Sequence, residues 1–192
     1  MKTGLFFGSF NPIHTGHLAI ASYMVEFTDL DKVWFVVSPH NPLKNKQSLL
    51  DDHQRLKMVK MAVCDDHRFD VSDAEYSLPQ PSFTIDTLKH LQNKFPEVDF
   101  SIIMGSDGLL TFEKWKNYRE IMAKFKRYVY PRPNTPDNLL HNLENGVVVT
   151  APLMEISSTF IREAITAKKN VRYYVPDNVL DFILSNNLYS SY

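Results

Sequence analysis

The amino-acid sequence predicts an α/β fold: a Rossmann-like parallel sheet with helices on both faces and a small C-terminal helical extension. Two observations carry that prediction. Short apolar, β-rich runs alternate with segments whose apolar residues recur at helical spacing, the pattern of repeated βα units whose parallel strands are covered on both faces. Two consecutive helical patterns, with no strand between them, then close the chain. At 192 residues, 44% of them hydrophobic, the size and apolar content suit a single domain, residues 1–192, with 156–192 as its C-terminal helical part.

Taken in order, TGLFF (3–7) reads as a buried strand. GSFNPIHTGH (8–17) is a turn, and LAIASYMVEF (18–27) is a helix with Ile20, Met24 and Phe27 at helical spacing. KVWFVVS (32–38) is a strand. PHNPLKNKQS (39–48), with two prolines and two lysines, is a loop. DDHQRLKMVKMAV (51–63) is a helix and RFDVSD (68–73) a short strand. TIDTLKHLQNKF (84–95) is a helix with Ile85, Leu88, Leu91 and Phe95 on one face. DFSIIMG (99–105), KRYVYP (126–131) and GVVVT (146–150) are strands, and the closing helices lie around 158–168 and 177–187. There is no internal repeat and no low-complexity segment.

Composition narrows the function classes. The formal net charge of −1 argues against a nucleic-acid footprint but leaves room for a nucleotide, which needs only a local positive site. The single cysteine, Cys64, excludes an intramolecular disulfide and a multi-cysteine zinc site, and is expected to have no chemical role. The apolar run in MKTGLFFGSF is too short for a signal peptide, and no run approaches the ~18 apolar residues of a membrane span. The expectation is a cytoplasmic protein, with neither nucleic acid nor membrane as partner and a homo-oligomer open.

In open parallel sheets, ligands bind at the carboxyl ends of strands where the strand order reverses. The first strand ends at GSFNPIHTGH. Gly8 and Gly16 permit close backbone approach, Pro12 stiffens the turn, and His14 and His17, three apart, can face one spot at the start of a helix. The N–H groups and dipole of such an end favour an anion. Two histidines also suit capping or zinc, but no third ligand lies at a familiar spacing. The GxGxxG and GxxxxGK[ST] patterns are absent. Far along the chain, ISSTFIREAI (156–165) offers Ser157 or Ser158 as helix N-cap, with Arg162 one turn inside, in reach of an anion held at that end.

GSFNPIHTGH resembles the GxFxPxHxGH signature of the nucleotidyltransferase superfamily, departing where many members have Asp in place of Asn11. ISSTFIR carries that superfamily's ISSTxxR signature unchanged. PSFTIDTL (81–88), with Ser82, Thr84 and Asp86 in capping positions, GSDGLLTFEKW (105–115) and YYVPDNVLDFILSNNLY (173–189) extend the resemblance over nearly the whole chain, to the bacterial nicotinate mononucleotide adenylyltransferases. YPRPN (130–134) resembles the family's RPG stretch but has Asn134 where glycine is usual, so Arg132 receives no role.

The resemblance implies transfer of the adenylyl group of ATP to nicotinate mononucleotide, giving nicotinate adenine dinucleotide and pyrophosphate. It assigns phosphate handling to His14, His17, Lys44 and Arg162. ATP binding falls to Gly8, Ser9, Phe10, Gly105, Asp107, Ser157, Ser158 and Thr159, with Asp107 as the ribose-binding acid. The acceptor falls to Ser82, Phe83, Thr84 and Trp115, through backbone N–H groups on the pyridine carboxylate and ring stacking on the tryptophan. Mg²⁺ is expected to arrive with ATP and not in a protein cage. His53, His67, His90 and His141 receive no role. The rivals are transfer to nicotinamide mononucleotide or to phosphopantetheine, whose enzymes usually have Thr in place of the first motif histidine, and a non-catalytic nucleotide-binding protein, which loss of a motif residue would have favoured.

Overall fold

The computed structural model describes residues 1–39, 49–133, 135–136, 140 and 143–190. Within them lie the strands β1 (Lys2–Gly8), β2 (Lys32–Val37), β3 (Phe69–Ser72), β4 (Asp99–Gly105), β5 (Arg127–Tyr130) and β6 (Gly146–Val148). They form one parallel sheet in the order β3-β2-β1-β4-β5-β6. The order runs outward from β1 in both directions. β1 sets Gly8 opposite Val37 of β2 and Phe6 opposite Ile103 of β4. The reversal therefore lies between the carboxyl ends of β1 and β4, at Gly8 and Gly105, where open α/β sheets leave a crevice.

Successive strand residues point to opposite faces, so each apolar strand feeds two cores. One core gathers Phe6, Phe35, Ile103 and Tyr128 from the sheet. Against them pack Ile20 and Met24 of α1 (Thr15–Phe27), Met58 and Val59 of α2 (Asp52–Val63), Ile161 of α5 (Ser158–Thr166), and Val179 and Ile183 of α6 (Asp177–Ser185). The other core gathers Leu5, Val36, Ile102 and Val129 with Ile85, Leu88 and Leu91 of α3 (Thr84–Lys94) and Ile121 of α4 (Tyr118–Lys124). Each such fully buried side chain contributes roughly 1.5–3 kcal/mol. α5 and α6 share the first core instead of standing apart from it, and the Asn178 amide donates to the Met61 carbonyl at 2.6 Å.

The expected helices and strands are present, with three additions: 3₁₀ segments at Ala74–Ser77 and Ser106–Lys114, and α4. A segment of four or seven residues is too short to display a helical period, which hid the first and the last of these. Phe27 departs from its expected buried stripe. It ends α1 at 72% exposure, its ring stacked on Tyr23 at 4.7 Å on the surface. No described helix is long and apolar enough to cross a membrane.

Candidate active site

The turn after β1 is built from below. Phe10 has φ 45, a region costly for a side chain larger than glycine, and its ring is 2% exposed among Phe6, Phe35 and His17. The ring also lies over Gly8, where a Cβ would come within 2.8 Å of it. Aromatic packing takes the Phe10 ring into the core, where it holds the turn, so any contact of Phe10 with ATP falls to its backbone. Asn11 is 2% exposed, its side-chain oxygen accepting from the Tyr189 hydroxyl at 2.9 Å and the Leu50 N–H at 3.3 Å. A neutral amide accepts these bonds without burying a charge, which accounts for Asn in this setting.

His14 is the N-cap of α1, in extended conformation, with the N–H groups of His17 and Leu18 closing onto its carbonyl at 2.9 and 3.3 Å. The two imidazoles stack with centroids 3.6 Å apart, so both do face one spot. Gly16 makes room: a Cβ there would lie 3.1 Å from the His14 ring nitrogen Nδ1. The backbone N–H of His14 donates to His17 Nδ1 at 3.3 Å. That bond leaves the proton of a neutral His17 on Nε2, as a donor. His17 is half-buried, its ring 5.0 Å from that of Phe10 and 6.0 Å from that of Phe6, so aromatic packing holds it in place within the turn.

His14 is 3% exposed, and its Nδ1 has no partner among the described residues. Burial, and then the positive Arg132, hold its pKa down at about 3. His14 is thus a neutral donor, not a cation, at physiological pH. The folded protein refuses this proton until about pH 3, while the unfolded chain accepts it near 6.5, so stability falls as pH drops through that window. A urea titration should show His14 costing up to about 1.4 kcal/mol per pH unit below 6.5, a slope that H14N lacks.

The second signature lands on the first. Ser157 is the N-cap of α5 and accepts from the Phe160 N–H at 3.1 Å. Ser158 Oγ donates to the Pro12 carbonyl at 2.9 Å, and Arg162 donates from Nη1 to the Asn11 carbonyl at 2.9 Å and from Nη2 to Thr159 Oγ1 at 3.2 Å. Two helix N-termini and a guanidinium therefore meet at the end of β1. From the β4 side, the Asp107 carboxylate lies against Gly105, where any Cβ would collide with it. Lys44 falls at 40–48, outside the described residues.

Two arginines without a sequence assignment hold this junction. Arg132, just after β5, donates to the Met154 carbonyl and the Tyr130 hydroxyl, both at 3.3 Å, and its charge acts on His14. Its buried Nε meets no acceptor among the described residues and would lie 3.2 Å from a Cβ at Gly105, which sets this second cation at the carboxyl end of β4. Arg55 is 0% exposed. It donates to the carbonyls of Ser9 (2.6 Å), Ser38 (2.7 Å), Pro39 (3.0 Å) and Leu50 (3.1 Å), and pairs with Asp52. Ser9, an expected ATP contact, is thereby pinned through its backbone to the end of β2. A signal for Arg55 did exist: it sits among the buried Leu56, Met58 and Val59 of α2, and a buried charge must be saturated with partners.

On the side expected to take the acceptor, α3 begins at Thr84 with Phe83 as N-cap and no side-chain cap. Ser82, expected in a capping position, is 5% exposed and donates instead to the Glu75 carboxylate at 3.0 Å, which Thr87 Oγ1 also reaches at 3.0 Å. Burial pushes the pKa of Glu75 up, ahead of the lowering by these hydroxyls. The Ser82 side chain thus anchors the loop from beneath, and the N–H groups of the first turn are left without a side-chain cap. Trp115 ends the 3₁₀ segment half-buried, its ring 5.4 Å from that of Phe112. Lys116, which follows it, pairs with Asp86 at 2.8 Å and lies 4.8 Å from the Phe83 ring centroid, bringing the tryptophan's segment to the start of α3.

The chain is similar to known proteins in sequence and in fold. Residues 5–164 match the cytidylyltransferase-like family model. A probable nicotinate-nucleotide adenylyltransferase of Flavobacterium psychrophilum is 53% identical, the match covering 98% of this chain and 99% of the relative. One of Cytophaga hutchinsonii is 49% identical, over 100% of both. Among solved structures, a Plasmodium falciparum nicotinic acid mononucleotide adenylyltransferase complexed with NaAD superposes with a TM-score of 0.83 at 20% identity, over 98% of this chain and 97% of that one, a likeness of fold. On the full-length identity and the two joined signatures, the chain belongs to the nicotinate-nucleotide adenylyltransferases of the cytidylyltransferase-like family.

Proposed function

We propose that the chain transfers the adenylyl group of ATP to nicotinate mononucleotide, giving nicotinate adenine dinucleotide and pyrophosphate in the synthesis of NAD. The observation that carries this reading is the junction at the β1/β4 switch point, where Ser158 and Arg162 of α5 bond the carbonyls of Pro12 and Asn11 beside the stacked His14 and His17. Two helix N-termini, the stacked imidazoles of His14 and His17, and the guanidiniums of Arg132 and Arg162 suit a triphosphate.

The acceptor's phosphate oxygen is already anionic near neutral pH and needs no general base. It attacks the α-phosphorus in line. The new P–O bond forms as the bond from that phosphorus to the oxygen bridging to the β-phosphate breaks, and pyrophosphate leaves with the electron pair. The protein's task is positioning and charge neutralisation. His17 Nε2–H and the His14 ring donate to phosphate oxygens. Arg162 and Arg132, with Lys44 as a further cation, stabilise the leaving pyrophosphate. Mg²⁺ belongs with ATP. Arriving with the triphosphate, the ion would add to the charge neutralisation that the arginines supply.

The acceptor is chosen at α3. Backbone N–H groups at its start suit a carboxylate, whereas a carboxamide presents its NH₂ to donors, a mismatch costing about 1–3 kcal/mol. The nicotinate form should therefore be preferred over the nicotinamide form by at least about tenfold in kcat/KM. Pyrophosphate release from ATP with nicotinate mononucleotide, nicotinamide mononucleotide and phosphopantetheine as acceptors tests the reading. Equal use of the two pyridine nucleotides, or a preference for phosphopantetheine, contradicts it.

A further inference from the structure

We infer that the Lys116–Asp86 ion pair is a specificity device of the acceptor site: by neutralising Asp86 at the start of α3, Lys116 lets that helix end favour an acceptor bearing a carboxylate over its carboxamide twin. The inference rests on the acceptor assignment above and adds the residues that tune it.

α3 is eleven residues long and has no side-chain cap. Its first turn nonetheless contains a carboxylate, Asp86. A first-turn acid interacts favourably with the positive helix end, the same end an incoming carboxylate would use. Two carboxylates at one helix end repel each other unless a cation intervenes. Lys116 is that cation. Its ammonium bonds Asp86 at 2.8 Å and lies 4.8 Å from the ring of the N-cap residue Phe83. Its backbone continues directly from Trp115, so the segment that carries the stacking ring also carries the counter-charge.

The neighbouring charges are already committed. Lys89, further along α3, pairs with Glu120, which also pairs with Lys124. Glu75, beneath the helix end, is occupied by Ser82 and Thr87. As a stability element the Lys116–Asp86 pair counts for little, because the two side chains are 44% and 38% exposed. Its leverage is on charge discrimination. Both pyridine mononucleotides carry the same pyridinium, ribose and phosphate, so a change of charge at Lys116 or Asp86 acts on the ratio of acid to amide use.

The test is kcat/KM for both mononucleotides with the parent enzyme, K116M, D86N and K116M/D86N, with thermal unfolding as a check that each variant is folded. K116M should lower the acid-to-amide ratio by about three- to tenfold at low salt. D86N should not lower it, and the double variant should return to within about twofold of the parent, since it removes both charges together. The K116M deficit should shrink in about 0.5 M salt. A K116M ratio within about twofold of the parent, or a double variant as impaired as K116M, overturns the inference while leaving adenylyl transfer intact. A parent that uses neither mononucleotide overturns the functional reading itself, and the inference with it.

Discussion

His17→Ala is expected to lower turnover about 100-fold, or ~3 kcal/mol, the usual loss when one donor to a developing oxyanion is removed. The expectation rests on a fixed tautomer. The His14 N–H holds His17 Nδ1 at 3.3 Å, so a neutral ring presents Nε2–H as its donor, and the stacked His14 at 3.6 Å limits rotation. Affinity for ATP should fall less than turnover, because the bond strengthens as charge builds on the α-phosphate. The ring also packs against Phe6 and Phe10, so the variant should lose some stability, about 0.5–1.5 kcal/mol per aromatic pair. Rapid-quench turnover at saturating substrates, beside a urea titration, separates the two effects. Near-normal turnover in a folded His17→Ala protein removes the donor role.

Arg162→Ala should cost at least as much, about 100-fold or more, because one guanidinium serves two purposes. It ties α5 to the Asn11 carbonyl at 2.9 Å and places positive charge at the junction. Arg162→Lys restores the charge but not the planar fork, so it should recover only part of the loss. ATP affinity and turnover, measured side by side, decide the matter. Full activity in the lysine variant reduces Arg162 to a point charge, and full activity in the alanine variant removes it from the chemistry.

The sequence exposes whatever is local in the chain. The β1 strand, its turn and α1 are contiguous, so the crossing from apolar run to Gly-Pro-His turn to helical period was legible, as were the long strands and helices. The meeting of Ser158 with Pro12 and of Arg162 with Asn11 spans 146 and 151 positions, and only the paired signatures made it visible. Arg55, Arg132, Glu75 and Lys116 escaped because their roles depend on partners brought together by the sheet. Arg55, for example, reaches the Ser9 carbonyl 46 positions away. Ser82 was misjudged for the same reason: in isolation a serine before a helix is a cap, but a buried carboxylate seven residues earlier claims its hydroxyl. The burial of the Phe10 ring likewise depends on Phe6, Phe35 and His17, which the fold brings around it.

The most direct measurement supplies ATP labelled at the α-phosphorus together with nicotinate mononucleotide, and follows the label. In-line attack on that phosphorus places the label in nicotinate adenine dinucleotide, formed one-for-one with unlabelled pyrophosphate and only when the acceptor is present. Label appearing in free adenosine monophosphate without dinucleotide, or in adenosine diphosphate released as the acceptor gains a phosphoryl group, would contradict adenylyl transfer at this site.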